Sequence, residues 1–324
     1  MRALITGAEG FAGGHLVRYL RAEEPGWELY GTAFSSDEAS SPLDGVFRLD
    51  LRDPDAVRAM LGQARPDYIY HLAAQAFVPR SFEDPWDTLE NNIRSQLNLL
   101  QGMLELDLRP RFLVVSSSEV YGTVSPDALP ITEDFPLKPS NPYSVSKVAQ
   151  DMLGLQYHLS HELPVIRVRP FNHIGPGQNA SFVAPAFAIQ IARIELGLQE
   201  PVIEVGNLLT QRDFTDVRDV VRAYHFALTR GRSGAVYNVC SGRAYSIQQL
   251  LHILLSYSKA SVQVLVDPRR LRGVDRPVVL GSAARLQEET GWQPAIPFHQ
   301  SLHDVLVECR ERVAREQEAY RGGD

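Results

Sequence analysis

Short runs of apolar residues alternate with longer amphipathic segments along most of this chain. The apolar runs have the length and the aliphatic and aromatic content of buried strands, whereas the segments between them repeat apolar residues at helical spacing. Strands that alternate with helices build parallel sheets covered by helices on both faces. The pattern therefore predicts an α/β protein with a doubly wound parallel sheet. Its first six strands are expected at 2–5, 28–34, 46–49, 68–70, 112–115 and 165–169.

A stretch rich in proline and glycine at 170–178 interrupts this alternation. A loop of that composition at a strand end is typical of the point where a second lobe begins. Further elements are expected as a helix at 182–197, strands at 203–205 and 236–239, and a last helix at 301–319. We therefore expect one domain over residues 1–170, to which later segments return, and a smaller α/β lobe over residues 171–324.

Composition excludes several classes of protein. The 324 residues are 44% hydrophobic, enough for a full sheet and a second lobe, and the formal net charge of −7 argues against a nucleic-acid-binding surface. Cys240 and Cys309 have neither the spacing of a metal site nor that of a disulfide framework. No apolar run reaches the ~18–20 residues of a membrane span, and the first strand begins at once. We expect a cytoplasmic protein without bound metal or membrane contact.

Glycines at positions 7, 10 and 13 follow the first predicted strand and precede an amphipathic helix. Gly7, Gly10 and Gly13 together allow a tight turn, a close approach of backbone to a pyrophosphate, and close packing of helix on strand. The free N–H groups at the start of such a helix then face the phosphates. This unit predicts a dinucleotide site, although its spacing differs from the more familiar G-x-G-x-x-G.

A tyrosine and a lysine four residues apart, Tyr143 and Lys147, provide candidate chemistry. At that spacing on a helix the phenol and the ammonium lie on the same face. A neighbouring cation favours the phenolate and lowers the pKa of the phenol toward the working range. Tyr143 is therefore the candidate acid/base, with Lys147 as the group that lowers its pKa.

Hydroxyl groups end the fifth predicted strand, in the sequence Val114-Val115-Ser116-Ser117-Ser118. Ligands bind at this edge of the sheet in open α/β folds. Together with the glycine turn and the tyrosine–lysine pair, this run resembles the extended short-chain dehydrogenase/reductase family, which has a Rossmann-like fold. The resemblance places the catalytic hydroxyl four residues before Tyr121, which selects Ser117, and makes Glu119 an accessory group.

The resemblance implies that residues 1–170 bind a nicotinamide cofactor. In NAD-binding relatives an acidic residue at the end of the second strand accepts from the ribose, but this end reads Phe34-Ser35-Ser36, with Asp37 shortly after. An arginine that would bind a 2′-phosphate is also missing there. NADP(H) is therefore favoured over NAD(H), which stays open. Ser35 and Ser36 are the candidate ligands for the extra phosphate, with a solvated loop as the alternative.

Other cofactor contacts follow from the family pattern. Asp50 would face the adenine, whereas Asp53, which precedes Pro54, is better explained as a helix N-cap. His71 is a lone histidine beside an apolar strand and is predicted to be structural. Besides the glycine turn, the two serines and Asp50, the predicted cofactor contacts are Phe11, Leu51, Leu72, Ala73, Ala74, Tyr143, Lys147 and Pro170.

Residues 171–324 would bind most of a nucleotide-sugar. Arg212 is the main candidate, because a guanidinium can bind a diphosphate with two parallel hydrogen bonds. Arg272 matches the second phosphate-binding arginine of the family, with Arg276 as a competitor. Asp216, Arg218 and Asp219 are better explained as caps and ion pairs. The remaining predicted substrate contacts are Ser118, Glu119, Asn172, Val183 and Asn207.

The phrases at 171–178, 205–216 and 237–242 resemble the GDP-sugar reductases of the family. The resemblance implies NADPH-dependent reduction of the C4 ketone of GDP-4-keto-6-deoxy-D-mannose to GDP-D-rhamnose. The alternatives are a GDP-mannose 4,6-dehydratase, which typically carries Thr in place of Ser117, or another nucleotide-sugar epimerase or reductase. A more remote alternative is a cofactor-sensing protein without turnover, which would usually lose the tyrosine–lysine pair.

Two long helices, predicted at 86–106 and 143–161, carry more apolar residues than one face of a sheet can cover. Leu99, Met103 and Leu104 widen the apolar face of the first helix. Relatives pair these helices across a twofold axis, so we expect a homodimer. The alternative is that the extra apolar residues pack under the loop at 75–85.

Overall fold

The computed structural model describes residues 1–34, 42–270 and 277–321. Three predicted site residues, Ser35, Ser36 and Arg272, lie outside the described residues. The competing Arg276 and the carboxylate of Asp37 lie outside them as well.

The strands alternate with helices as predicted. In chain order they are β1 (Arg2–Thr6), β2 (Glu28–Ala33), β3 (Gly45–Arg48), β4 (Tyr68–His71), β5 (Arg111–Val115), β6 (Val165–Pro170), β7 (Asn172–Ile174), β8 (Val202–Val205), β9 (Gln211–Asp216), β10 (Val236–Val239), β11 (Ala244–Ser246), β12 (Gln263–Val266) and β13 (Val278–Val279). The helices are α1 (Phe11–Glu23), α2 (Pro54–Ala64), α3 (Val78–Glu83), α4 (Pro85–Glu105), α5 (Pro142–His161), α6 (Val183–Glu195), α7 (Val217–Arg230), α8 (Ile247–Ser256), α9 (Ala284–Thr290) and α10 (Phe298–Arg321).

The main sheet has seven parallel strands within the described chain, in the order β10-β6-β5-β4-β1-β2-β3. The chain order reverses between β1 and β4, and ligands in open α/β folds bind at the carboxyl ends of the strands at such a reversal. The predicted fold class is confirmed. The strand expected at 236–239 is β10, an edge strand of this sheet. The division of the chain at residue 170 stays a prediction.

Local sequence explains where the helices begin. The Asp53 carboxylate accepts hydrogen bonds from Asp55 N at 3.0 Å and Ala56 N at 3.2 Å, and Pro54 occupies the first turn of α2. The predicted N-cap role of Asp53 is therefore confirmed. At the start of α5, Asn141 and Ser144 form a reciprocal capping box. This cap fixes the first turn of the helix that carries the tyrosine–lysine pair.

A second lobe packs around its own apolar core. Its strands β11, β9 and β13 form a small sheet to which β7 adds by pairing with β9, and β12 pairs with β8. The core of this lobe is formed by α6, α8 and α10, with buried side chains that include Phe187, Ile191, Leu250, Leu302 and Leu306. Among the described helices, none is both long enough and apolar enough to cross a bilayer.

Candidate active site

At two positions of the glycine turn, no residue larger than glycine fits. Gly7 has a φ of +67°, and a Cβ atom there would lie 2.9 Å from the backbone nitrogen of Ala73. A Cβ atom on Gly13 would lie 2.1 Å from the carbonyl oxygen of Gly7. Gly10 caps α1, so the N-terminus of that helix opens at the turn. The turn therefore presents a tightly packed backbone beside a helix N-terminus, as a pyrophosphate site requires.

A cavity of ≈ 440 Å³ lies beside this turn at the carboxyl edge of the sheet. Five predicted cofactor contacts lie in its wall, namely Gly7, Asp50, Leu51, Ala73 and Ala74. The other residues of the wall were not predicted. They are Thr32, Ala33, Phe34, Leu49, Arg52, Gln75, Arg80, Asp87, Asn91 and Ser95.

Two arginines lie in this wall, although the sequence interpretation found no arginine at the end of β2. Arg52 follows β3, and its guanidinium forms an ion pair with Asp50 at 2.7 Å, which lowers the pKa of that carboxyl group. Arg80 lies on α3 and pairs with Asp87 at 3.0 Å. The cations of the cavity therefore come from the segment after β3 and from α3, not from the end of β2, where the sequence has none.

A polar stripe on α4 supplies further residues that the sequence interpretation missed. Asp87, Asn91 and Ser95 recur every four residues, so they lie on one face of α4, and all three line the cavity. That spacing is readable from the sequence. It interrupts the apolar pattern of the helix on the side that faces the cavity.

The three predicted catalytic residues come together at the ends of β5 and α5. Tyr143 and Lys147 lie one helical turn apart on α5 and are both buried. Ser117 lies two residues after the end of β5, and its hydroxyl lies near enough to the Tyr143 phenol to oppose the rise of the phenol's pKa. The Lys147 ammonium donates to the carbonyl oxygen of Val115 at 2.9 Å and lies 5.9 Å from the centre of the Tyr143 ring.

Burial shifts the pKa values of both Lys147 and Tyr143. Burial lowers the pKa of Lys147 to about 7, because an ammonium loses its hydration there. Burial also raises the pKa of Tyr143, and the neighbouring Ser117 hydroxyl opposes that shift only in part. The expectation that Lys147 lowers the Tyr143 pKa is not met in this structure. The ammonium donates to Val115 instead, and loss of hydration dominates at the phenol.

Asn92 is a buried residue of this site that the sequence interpretation missed. Its side-chain amide donates to Ser146 Oγ at 2.9 Å and to the Gln75 carbonyl at 3.0 Å, while its Oδ1 accepts from Gln75 N at 2.7 Å. Ser146 in turn donates to the carbonyl oxygen of Tyr143 at 2.7 Å. Asn92 thus ties the loop after β4 to the first turns of α5.

His71 is structural, as predicted. Its Nδ1 lies 2.8 Å from Thr6 Oγ1, and its Nε2 lies 3.4 Å from the Gln150 amide. Burial lowers the pKa of His71 to about 3, so the ring is neutral at physiological pH. The histidine joins β1, β4 and α5 without exposing a reactive atom.

The predicted substrate residues divide between the two lobes. Glu119 lies with the catalytic group, where its Oε2 accepts from Asn141 Nδ2 at 3.2 Å. Arg212 is half-buried on β9, and the neighbouring strand β7 begins at Asn172, whose register partner is Phe214. Strand pairing therefore brings Asn172 and Arg212 onto adjacent strands at one edge of the second lobe.

The remaining predicted contacts lie on several different elements of the fold. Ser118 is buried at the start of a short 3₁₀ helix, Val183 is half-buried at the start of α6, and Asn207 accepts from Leu209 N at 3.0 Å in an exposed turn. Phe11 stacks on His173 with ring centres 5.9 Å apart. Pro170 ends β6, and Leu72 follows β4 with its N–H donating to the Thr6 carbonyl at 3.3 Å.

The acidic and basic residues at the end of β9 and the start of α7 stabilise the fold, as predicted. Asp216 caps α7 by accepting from Arg218 N at 2.8 Å, and Arg218 bridges Asp216 and Asp304 at 2.7 Å each. Asp219 accepts from the backbone nitrogens of Ala295 and Ile296 at 2.8 and 2.7 Å. The predicted capping and ion-pair roles of these residues are confirmed.

Comparison with known proteins places this geometry in a family. The family model described as GDP-mannose 4,6 dehydratase matches residues 4–305. The chain is 42% identical over 315 residues to a GDP-6-deoxy-D-mannose reductase of Pseudomonas aeruginosa, covering 97% of this chain and 99% of that protein. It is 33% identical over 313 residues to a dTDP-glucose 4,6-dehydratase of Streptomyces griseus, covering 92% of this chain and 91% of that protein.

Solved structures agree with the sequence relatives. A structure of RMD from Pseudomonas aeruginosa complexed with NADPH superposes with a TM-score of 0.86 at 41% identity, covering 96% of this chain and 99% of that one. A Thermus thermophilus UDP-glucose 4-epimerase in complex with NAD gives a TM-score of 0.84 at 28% identity, covering 96% of this chain and 99% of that one. Since the match extends over nearly the whole chain in both sequence and fold, the chain belongs to the GDP-mannose 4,6 dehydratase family.

Proposed function

We propose that this protein uses NADPH to reduce the C4 ketone of GDP-4-keto-6-deoxy-D-mannose, giving GDP-D-rhamnose. The observation that carries the proposal is the buried group of Ser117, Tyr143 and Lys147, in which Lys147 lies one turn after Tyr143 on α5. A hydroxyl pair of this kind at the carboxyl edge of the sheet suits a carbonyl that must be held and protonated. The 42% identical reductase of Pseudomonas aeruginosa supports the substrate class.

The residues around the cavity fit NADPH. The turn at Gly7 and Gly13 leaves no room for side chains between backbone segments, and the N-terminus of α1 attracts phosphate. Arg52 and Arg80 supply cationic side chains in the wall of the same cavity, as a 2′-phosphate requires. NADPH in the structure of the Pseudomonas aeruginosa relative supports this choice of cofactor.

Each catalytic residue has a separate task in this proposal. Bound NADPH supplies the hydride that reduces C4. Burial keeps the Tyr143 phenol protonated, so its hydroxyl donates a proton to the alkoxide oxygen that forms at C4. The hydroxyl of Ser117 holds and polarises the same oxygen. Lys147 contributes positive charge at this site and a donor for the ribose of the nicotinamide.

The diphosphate of the substrate requires cations from the second lobe. Arg212 on β9 and Arg272, outside the described residues, are the proposed ligands. Asn172, Asn207 and Val183 are the proposed contacts of the nucleotide-sugar; Val183 is half-buried, and Asn172 and Asn207 are exposed.

Dehydration of GDP-D-mannose is the second candidate activity, because the matching family model carries that name and a dTDP-glucose 4,6-dehydratase is 33% identical. Ser117, where those enzymes typically have Thr, favours the reductase. The deciding experiment incubates the pure protein with NADPH and GDP-4-keto-6-deoxy-D-mannose and identifies the product by NMR. GDP-D-mannose is the parallel substrate.

We expect NADPH oxidation and GDP-D-rhamnose with the ketosugar, and no consumption of GDP-D-mannose. If the protein consumes GDP-D-mannose but not the ketosugar, it is a dehydratase and the proposal is wrong. Absence of turnover with every GDP-ketosugar would favour a cofactor-sensing protein.

A homodimer is part of the proposal. The surplus apolar residues expected on α4 do not support it, because Leu99 and Met103 are buried within the protomer and Leu104 packs against the same core. On α5, by contrast, Val145, Met152 and Leu159 are exposed. A self-complementary patch of this kind favours twofold pairing. We further propose a cytoplasmic location, which the two free and buried cysteines support.

A further inference from the structure

We propose that Arg169 is a positioning residue whose buried guanidinium fixes Ser117 relative to Tyr143. The inference rests on the proposed function, since it assigns catalytic roles to those two side chains. Arg169 lies on β6, between the strand that leads to Ser117 and the edge strand β10. From there its side chain bonds to the two segments that carry the reacting hydroxyl groups.

The first bond runs to the catalytic helix. Tyr143, Lys147 and Asp151 follow one another every four residues on α5, so they share the face that packs on the sheet. Asp151 is 0% exposed, and its Oδ2 accepts from Arg169 Nε at 2.7 Å. Because the carboxylate is fully buried, this pair fixes where α5 lies on β6.

The second bond runs to the segment that follows Ser117. Arg169 Nη1 donates to the Tyr121 hydroxyl at 3.0 Å, and that hydroxyl donates to Asn238 Oδ1 at 2.7 Å. Tyr121 ends a 3₁₀ helix that begins at Ser118, and Ser117 caps this helix by accepting from Glu119 N at 3.2 Å. A displacement of Tyr121 therefore moves the backbone that carries Ser117.

Burial and hydrogen bonding hold the Tyr121 side chain between Arg169 and Asn238. The side chains of Tyr121 and Asn238 are buried, and burial raises the pKa of Tyr121 to about 12, so its hydroxyl keeps the proton that it donates. Arg169 also donates to the Glu133 carbonyl at 3.1 Å. A buried donor without a partner is costly, so the network favours a single arrangement of the two segments.

Arg167 offers a matched comparison on the same strand. It is similarly buried, its Nη1 donates to Asp151 Oδ1 at 2.8 Å and its Nη2 donates to the Gly234 carbonyl at 2.9 Å, between α7 and β10, while its Nε is buried without a hydrogen-bond partner among the described residues. Arg167 thus shares the bond to α5, but within the described chain it does not bond to Tyr121. If stability alone matters, Arg167 and Arg169 should have similar effects on turnover. If Arg169 positions Ser117, replacing Arg169 should lower turnover more than replacing Arg167.

The test compares Tyr121→Phe, Arg169→Lys and Arg167→Lys with the wild-type protein, using NADPH and GDP-4-keto-6-deoxy-D-mannose. We expect Tyr121→Phe and Arg169→Lys to lower kcat at least tenfold, with KM and the Kd of NADPH within twofold of wild type. Arg167→Lys should lower Tm but keep kcat within threefold. A wild-type kcat in Tyr121→Phe, or equal kcat losses in the two arginine variants, would overturn the inference.

A structural readout keeps this inference separate from the proposed function. In a crystal structure of Tyr121→Phe, which removes only the hydroxyl, the oxygens of Ser117 and Tyr143 should lie about 1 Å or more farther apart than in a crystal structure of the wild-type protein, enough to weaken a hydrogen bond strongly. An unchanged distance between these oxygens would refute the positioning role even if the wild-type protein proved inactive on the ketosugar. Inactivity of the wild-type protein with the geometric change present would refute the proposed function alone.

Discussion

The Lys147 ammonium donates a hydrogen bond to the Val115 carbonyl 2.9 Å away, while only 4% of the lysine is exposed. The two residues belong to α5 and β5, the elements that carry Tyr143 and lead to Ser117. Burial lowers the pKa of Lys147 from its ordinary value of 10.5 to about 7. The charge that the active site uses is therefore partly lost at neutral pH unless a bound ligand stabilises it.

This shift predicts how stability depends on pH in the absence of cofactor. Between pH 7 and pH 10.5 the unfolded chain keeps the Lys147 proton and the folded chain releases it, so stability rises with pH. The free energy of unfolding of wild type minus that of Lys147→Met should rise between pH 7 and pH 9, by up to about 1.4 kcal/mol per pH unit.

Urea unfolding of both proteins at each pH measures this difference. Lys259→Met serves as the control, because Lys259 is exposed. A difference between wild type and Lys147→Met that stays constant from pH 7 to pH 9 would show that the folded lysine keeps its proton.

Removing the Tyr143 hydroxyl should stop proton transfer and leave the fold intact. Tyr143→Phe is expected to lower turnover at least ~10²-fold with little change in NADPH affinity, because the phenol supplies the proton and the ring supplies the packing. Tyr157→Phe is a suitable control, since Tyr157 is also buried on α5 but lies about four helical turns after Tyr143. Stopped-flow NADPH oxidation gives the rates. Normal turnover in Tyr143→Phe would refute its role as the acid.

Neighbouring glycines in α1 provide a matched pair for the cofactor site. In Gly13→Ala the added Cβ atom would lie 2.1 Å from the Gly7 carbonyl, whereas in Gly14→Ala its closest neighbour is an Arg18 side-chain nitrogen at 3.7 Å. Gly13→Ala must displace backbone at the turn, so we expect a loss of NADPH affinity of more than tenfold. Gly14→Ala should bind like wild type. Fluorescence titration with NADPH measures both affinities. Equal affinities would refute the proposal that the glycine turn binds the cofactor.

Much of the fold could be predicted from sequence because its determinants are local. Strand-length apolar runs, the glycines at 7 and 13, and the Asp53-Pro54 cap each act within a few residues, and the structure has them as expected. The tyrosine–lysine spacing likewise fixes two side chains on one helix face before any tertiary contact is known. Such local patterns determine the geometry without any contact between distant segments.

The features that sequence did not indicate depend on contacts between distant segments. Arg80 reaches the cavity from α3, and Asn92 joins α4 to α5 across 54 positions of sequence. The raised pKa of Tyr143 has the same origin, since it reflects burial by several elements rather than the charge of its neighbour Lys147. Helical spacing alone predicts neither the burial of Tyr143 nor these contacts between distant segments.

Substrate binding by the second lobe is tested at Arg212. Arg212→Ala should raise KM more than it lowers kcat, because a charge-assisted contact with a diphosphate is worth roughly 1.5–3 kcal/mol, about ten- to a hundredfold in affinity. Arg272→Ala should behave in the same way. Arg193→Ala removes a surface arginine that lies 3.8 Å from Glu316 and should leave both constants unchanged. An unchanged KM in Arg212→Ala would place the diphosphate elsewhere.

Assembly can be tested on the exposed face of α5. Leu159 is 71% exposed in the protomer, and it lies on the same helix as the exposed Val145 and Met152. If this face pairs with a second copy, Leu159→Glu buries a charge at the interface and should convert a dimer into a monomer at micromolar concentration. Leu198→Glu is the control, because Leu198 is 47% exposed but lies in the second lobe. Light scattering gives the masses. Since α5 also carries Tyr143 and Lys147, the monomeric variant should lose turnover as well, and a monomeric wild-type protein with full activity would contradict the dimer.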